Sequence, residues 1–178
     1  MQTKLVIRNR AFGFQKGASL LEIVAYLGVA SVVIIGAISM LTSAFGGANA
    51  NRALEETVGL RTGIKKLYMG QAAGFGTGDL NSVLATAKVF PSTLTVNGST
   101  VKNAWNGAVS VTGATSTFDI SYASVPQDVC ASLVGAQGSS GWISVAVNGA
   151  AALTPPITPA QAGTACNASS NTVVWTGN

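Results

Sequence analysis

From Ile23 to Phe45 the chain runs for twenty-three residues, IVAYLGVASVVIIGAISMLTSAF, without a single charge. As a helix this stretch spans about 34 Å, against a hydrocarbon thickness of about 30 Å. It predicts one membrane crossing. Lys4, Arg8, Arg10 and Lys16 precede it with no acid among them, and only Arg52 follows soon after. By the positive-inside rule the N-terminus is expected in the cytoplasm and the remainder outside.

At 178 residues the chain is long enough for one ordinary domain in addition to that anchor. The net charge of +4 resides entirely in the first sixteen residues. After Gly17, six basic residues (Arg52, Arg61, Lys65, Lys66, Lys88, Lys102) balance six acidic ones (Glu22, Glu55, Glu56, Asp79, Asp119, Asp128). Phosphate neutralisation needs clustered cations, so no nucleic-acid partner is expected, and Lys65-Lys66 reads as a solvated helix face. The chain contains no histidine. Zinc clusters and Ser-His nucleophile pairs are therefore excluded, and the scattered acids form no evident dyad. No enzyme activity, cofactor or metal is expected.

Glu22 is the only charge between Leu20 and Phe45, although a charge at the bilayer centre costs a few kcal/mol. A secretory signal is one reading of this region, with "ANA" at 48–50 as its cleavage site, but such signals have apolar runs of only about 7 to 15 residues. A plain uncleaved anchor is another. Neither gives Glu22 a role.

A basic leader, then Gly17, a small residue, a glutamate at the fifth position after the glycine and a long apolar run together resemble the prepilin signal of the type IV pilins. The resemblance implies that a prepilin peptidase cuts between Gly17 and Ala18, so that the apolar segment is retained and Glu22 becomes the fifth mature residue. The cut would create an α-ammonium on Ala18, and in the resembled family this glutamate neutralises the terminal amine of a neighbouring subunit. The carboxylate would also lie in the first turn of a helix, where the dipole favours negative charge. Family members usually methylate the new terminus and often carry Phe there; Ala18 departs from that and points to the type IVb branch.

Beyond the anchor, Leu54, Val58, Leu60, Ile64, Leu67 and Tyr68 fall at helical spacings, with Arg52, Glu55, Glu56, Arg61 and Lys65 interspersed. One helix is predicted from Ala18 to about Met69, with Gly28, Gly36 and Gly46-Gly47 as weak points. "GFGTGD" at 74–79 lacks the spacing of a phosphate loop and reads as a flexible loop, with Asp79 capping a short helix from Leu80 to Lys88 that Pro91 cannot extend.

After Pro91 the period becomes that of strands. "LTVNGSTV" at 94–101 centres Asn-Gly in a type I′ hairpin signal. "STFDISY" puts Phe118, Ile120 and Tyr122 on one face, "WISVAV" does so with Ile143, Val145 and Val147, and "TVVWT" supplies a last strand. "PQDVCASLV" reads as a short helix and "AALTPPITPAQAGTACN" as an exposed, proline-stiffened loop. Trp105, Trp142 and Trp175 read as core or turn anchors. The pattern predicts an α+β fold, and the resemblance implies the type IV pilin fold: a long N-terminal helix packed on a C-terminal antiparallel sheet.

Cys130 and Cys166 are the only cysteines. Outside the cytoplasm a disulfide between them is expected, two buried thiols being the alternative. The resembled family has such a C-terminal disulfide framing a variable surface region. The organisation implied is a leader at 1–17, a transmembrane and filament-core half-helix at 18–46, and a periplasmic or extracellular domain at 47–178. The implied function is that of a type IVb pilin, most like the PilS-type major pilins of thin conjugative pili: an inner-membrane precursor that polymerises into an extracellular homo-oligomeric filament for cell contact, with the peptidase and assembly machinery as partners. A secretion-system pseudopilin or a minor pilin is the alternative.

Overall fold

The computed structural model describes residues 19–137 and 141–178. It divides into two units, one ending at Leu41 and the other Thr42–Asn178. The elements, in chain order, are α1 (Leu20–Tyr68), β1 (Thr77–Asp79), α2 (Asn81–Thr86), β2 (Thr95–Asn97), β3 (Thr100–Lys102), β4 (Ala108–Ala114), β5 (Thr117–Pro126), α3 (Gln127–Ala136), β6 (Ser144–Val147), α4 (Pro159–Ala165) and β7 (Ser170–Gly177). Helix α1 runs unbroken through Gly28, Gly36 and Gly46-Gly47.

The strands form one antiparallel sheet in the order β2-β3-β4-β5-β7-β6, with β1 also paired to β4. Alternation dictates its faces. Along β5, Phe118, Ile120 and Tyr122 are fully buried, and along β7 Val173 and Trp175 are too. Their partners across the sheet are Gly113, Val111 and Val109 on β4 and Gly177, Trp175 and Val173 on β7. Within Thr42–Asn178, α1 contributes Ala50, Ala53, Leu60 and Ile64 to the same apolar core. Burying side chains of this size stabilises by about 1.5–3 kcal/mol each.

Several details differ from the sequence expectation, each for a local reason. The hairpin at 94–101 pairs Asn97 with Thr100, so Gly98 and Ser99 are its central residues. Only Gly98 has positive φ (+60°), which matches a type II′ turn rather than I′. Helix α2 is shorter than 80–88: Leu80 holds the N-cap position, the Asp79 carboxylate accepts the Asn81 N–H at 3.0 Å, and Lys88 turns left-handed (φ 53°) before Pro91 is reached. The "GFGTGD" segment is not wholly loop, because Thr77–Asp79 pairs with β4.

On α1 the buried face includes Glu56 and Thr57, whereas Val58 is 47% exposed. Strand β6 begins only at Ser144, so Trp142 turns inward and Ile143 is 42% exposed. The proline-rich stretch before Cys166 contains α4. Its N-cap Thr158 and Gln161 form a reciprocal capping box with Pro159 at the first helical position, and Ile157 is buried beside it.

Asn81 bridges a gap along β4. Its side chain donates to the carbonyls of Ser99 (3.1 Å) and Val109 (2.9 Å) and accepts from the Val111 N–H (2.9 Å), while the Leu80 N–H donates to the Val111 carbonyl. The amide thus meets backbone groups of β4 that lie between its pairings with β3 and with β1.

Candidate functional site

Glu22 lies in the first turn of α1 and is exposed. The Tyr26 hydroxyl, one turn further on, donates to its Oε1 at 3.2 Å. Beyond this pair, Val24, Leu27, Val32, Val33, Ile35 and Met40 are all largely exposed on a helix long and apolar enough to cross a membrane. Ser31, polar within this run, donates to the Gly28 carbonyl at 2.7 Å, so its hydroxyl is satisfied within the helix. Gly17 and Ala18 lie outside the described residues.

In Thr42–Asn178 the continuation of α1 is anchored by polar groups as well as by apolar packing. The Glu56 carboxylate is buried, with one oxygen accepting from Arg52 Nε at 3.1 Å and the other from the Tyr122 hydroxyl at 3.3 Å. Arg52 also donates to the Thr93 carbonyl. Burial above all, then the Glu56 charge and its hydrogen bond, push the Tyr122 phenol well above its ordinary pKa. A second buried link passes through Gln137 at the end of α3, which donates to the Thr57 hydroxyl and accepts from the Trp142 indole. The Arg61 guanidinium stacks over Trp142, 5.4 Å from the ring centroid.

Cys130 on α3 and Cys166 at the end of α4 are joined, with Cα atoms 5.8 Å apart. The bond ties α4 and the preceding loop to α3, which packs against β5 and β7. Beside α4 a groove of about 620 Å³ is lined by residues that include Val147, Leu153, Gln161, Thr164 and Asn167, with no charged side chain among them. Among the described residues no group of three or more His, Cys, Asp or Glu could hold a metal ion.

Residues 47–178, which hold the amphipathic part of α1, the antiparallel sheet and the disulfide-bonded α3–α4 region, match one protein family, described as PilS N terminal. The chain belongs to the PilS family of type IVb pilins.

Among solved structures, this pilin is similar to the type IVb pilin from Salmonella typhi (TM-score 0.59, 23% identity, covering 70% of this chain and 97% of that one). It is also similar to TcpA, a type IV pilin from the Vibrio cholerae El Tor biotype (TM-score 0.54, 13% identity, covering 74% and 99%). At these identities the likeness carries the fold and no more. No curated protein matches the sequence. Pilins are structural subunits rather than enzymes, which fits a chain with no histidine.

Sequence reasoning missed three groups that hold this pilin together. Glu56 reads in the sequence only as one of the charges interspersed along α1, and its burial is foreshadowed only by its lying four residues after Arg52 and four before Leu60. Gln137 carries no pattern that distinguishes it from an exposed glutamine. The capping box at Thr158-Pro159-Ala160-Gln161 was readable, because a threonine followed three residues later by glutamine is a helix-start signal in its own right.

Proposed function

We propose that this pilin is made as an inner-membrane precursor, cut by a prepilin peptidase between Gly17 and Ala18, and polymerised through the apolar half of α1 into a type IVb pilus. The leader is residues 1–17, the membrane and filament-core half-helix 18–46, and the displayed domain 47–178. The observation that carries this reading is Glu22, an exposed carboxylate at the start of an otherwise uncharged and exposed helical stretch of membrane-spanning length. Cutting at Gly17 supplies the missing cation: the α-ammonium of Ala18 pairs with Glu22 of a neighbouring copy as it leaves the bilayer. The same apolar surface then faces lipid before assembly and other subunits afterwards.

The chemistry of assembly belongs to other proteins, the peptidase and the pilus machinery. The fibre serves cell contact and adhesion, as in thin conjugative pili, with methylation of the Ala18 amine preserving its charge. The test is intact-mass measurement of subunits sheared from the cell surface together with a Glu22→Ala variant. The expected results are subunits lacking residues 1–17, and a variant that stays in the membrane without forming fibres. Subunits that retain Met1, or normal fibres from Glu22→Ala, would refute the reading.

A further inference from the structure

We infer that Tyr26 is a positioning residue for the assembly carboxylate, its hydroxyl holding one oxygen of Glu22 and leaving the other for the arriving ammonium. The inference rests on the pairing between Glu22 and a neighbour's terminal amine proposed above. The two side chains are four residues apart on α1, hence on one face, and the phenol donates to Oε1 at 3.2 Å. A carboxylate offers about four acceptor positions, so one phenolic donor leaves Oε2 available.

The interval between processing and assembly is when this bond matters. A carboxylate at the edge of hydrocarbon is costly when nothing donates to it, and from Leu20 to Phe45 its own helix offers only neutral donors. Tyr26 supplies one. Because Oε2 stays open, an incoming ammonium adds to the carboxylate without displacing the bond that Tyr26 makes to Oε1. The phenol also restricts the Glu22 rotamers, so less side-chain freedom is lost when the intermolecular pair forms. An aromatic ring near a membrane interface can serve simply as an anchor. That role needs the ring of Tyr26 and not its hydroxyl, and Tyr26→Phe separates the two.

The experiment uses the full chain in its native membrane. Tyrosine labelled with 13C at Cζ reports the phenol environment, and the chain has three tyrosines, so Tyr26→Phe identifies the Tyr26 resonance by its loss. That resonance should move in Glu22→Gln. Tyr26→Phe should also lower the ratio of sheared fibre to processed membrane subunit roughly tenfold, the effect of losing one hydrogen bond to a charged group. A Tyr26 resonance that ignores Glu22→Gln, or wild-type fibre yield from Tyr26→Phe, overturns the inference. If Glu22→Ala itself forms fibres, the underlying pairing fails whatever Tyr26 does. If Glu22→Ala is fibre-free while Tyr26→Phe assembles normally, only the role of Tyr26 fails.

Discussion

Tyr122, in the middle of β5, donates its hydroxyl to Glu56 on α1 at 3.3 Å, joining sheet to helix across sixty-six positions of sequence. Both side chains are buried, and Arg52 completes the arrangement from the solvent side. Glu56→Ala should therefore destabilise Thr42–Asn178 by about 2–3 kcal/mol, because it leaves the buried phenol without its acceptor and opens a cavity. Glu55→Ala, one residue away and exposed, should change stability by less than about 0.5 kcal/mol. Urea unfolding of the two variants side by side checks the contrast; equal losses would mean that the Glu56 network adds nothing.

The same phenol gives the domain an alkaline limit. With its folded-state pKa raised by burial, Tyr122 keeps its proton where the unfolded chain begins to lose it, above about pH 10. Below that pH both states hold the proton and the group adds no pH dependence. Above it the unfolded state binds fewer protons, so stability falls as pH rises. Relative to Tyr122→Phe, the wild type should lose about 1 kcal/mol over the first pH unit above 10. Parallel unfolding curves for the two proteins on either side of that pH would contradict this.

The disulfide closes a loop of sequence separation 36, for which the chain-entropy model gives about 4 kcal/mol. Set against a typical domain stability of 5–15 kcal/mol, its loss weakens the domain without necessarily unfolding it. A Cys130→Ser, Cys166→Ser double variant should unfold at markedly lower urea concentration and be cleaved by protease first within residues 153–166, before the sheet opens. Cleavage starting elsewhere would argue against α4 being the element that the bond secures.

Gly107 follows a turn built by Asn103, whose side-chain oxygen accepts the N–H groups of Trp105 (3.0 Å) and Gly107 (2.9 Å) while its amide donates to the Ala123 carbonyl. A Cβ on Gly107 would lie 1.9 Å from the Ala123 oxygen. Gly107→Ala should thus cost about 3 kcal/mol or more, since a rigid backbone atom must move. Gly28→Ala meets nothing within 4 Å and should strengthen α1 by up to about 1 kcal/mol. Circular dichroism and thermal melts of both variants test the pair.

The strands were readable where one residue type alternates with another, as at Phe118, Ile120 and Tyr122, because a half-buried sheet writes its period directly into the chain. The continuous α1 was equally plain, as was the isolation of Glu22. The buried face of α1 was harder. It uses Ala50 and Ala53, whose small side chains give only a weak apolar signal, and Glu56 and Thr57, whose polarity is met by partners 66 and 80 residues away. Such long-range partners leave no local trace. The inward turn of Trp142 in place of Ile143 has the same origin, because both precede the first β6–β7 pair at Ser144 and so escape the strand's alternation.

Asn81 has a consequence for the middle of β4. By answering the buried peptide groups of Val109 and Val111 with a side-chain amide, it closes the interval where the strand passes from pairing with β3 to pairing with β1. A single side chain therefore substitutes for a missing length of strand, and two short strands share one flank of β4 without a polar seam between them.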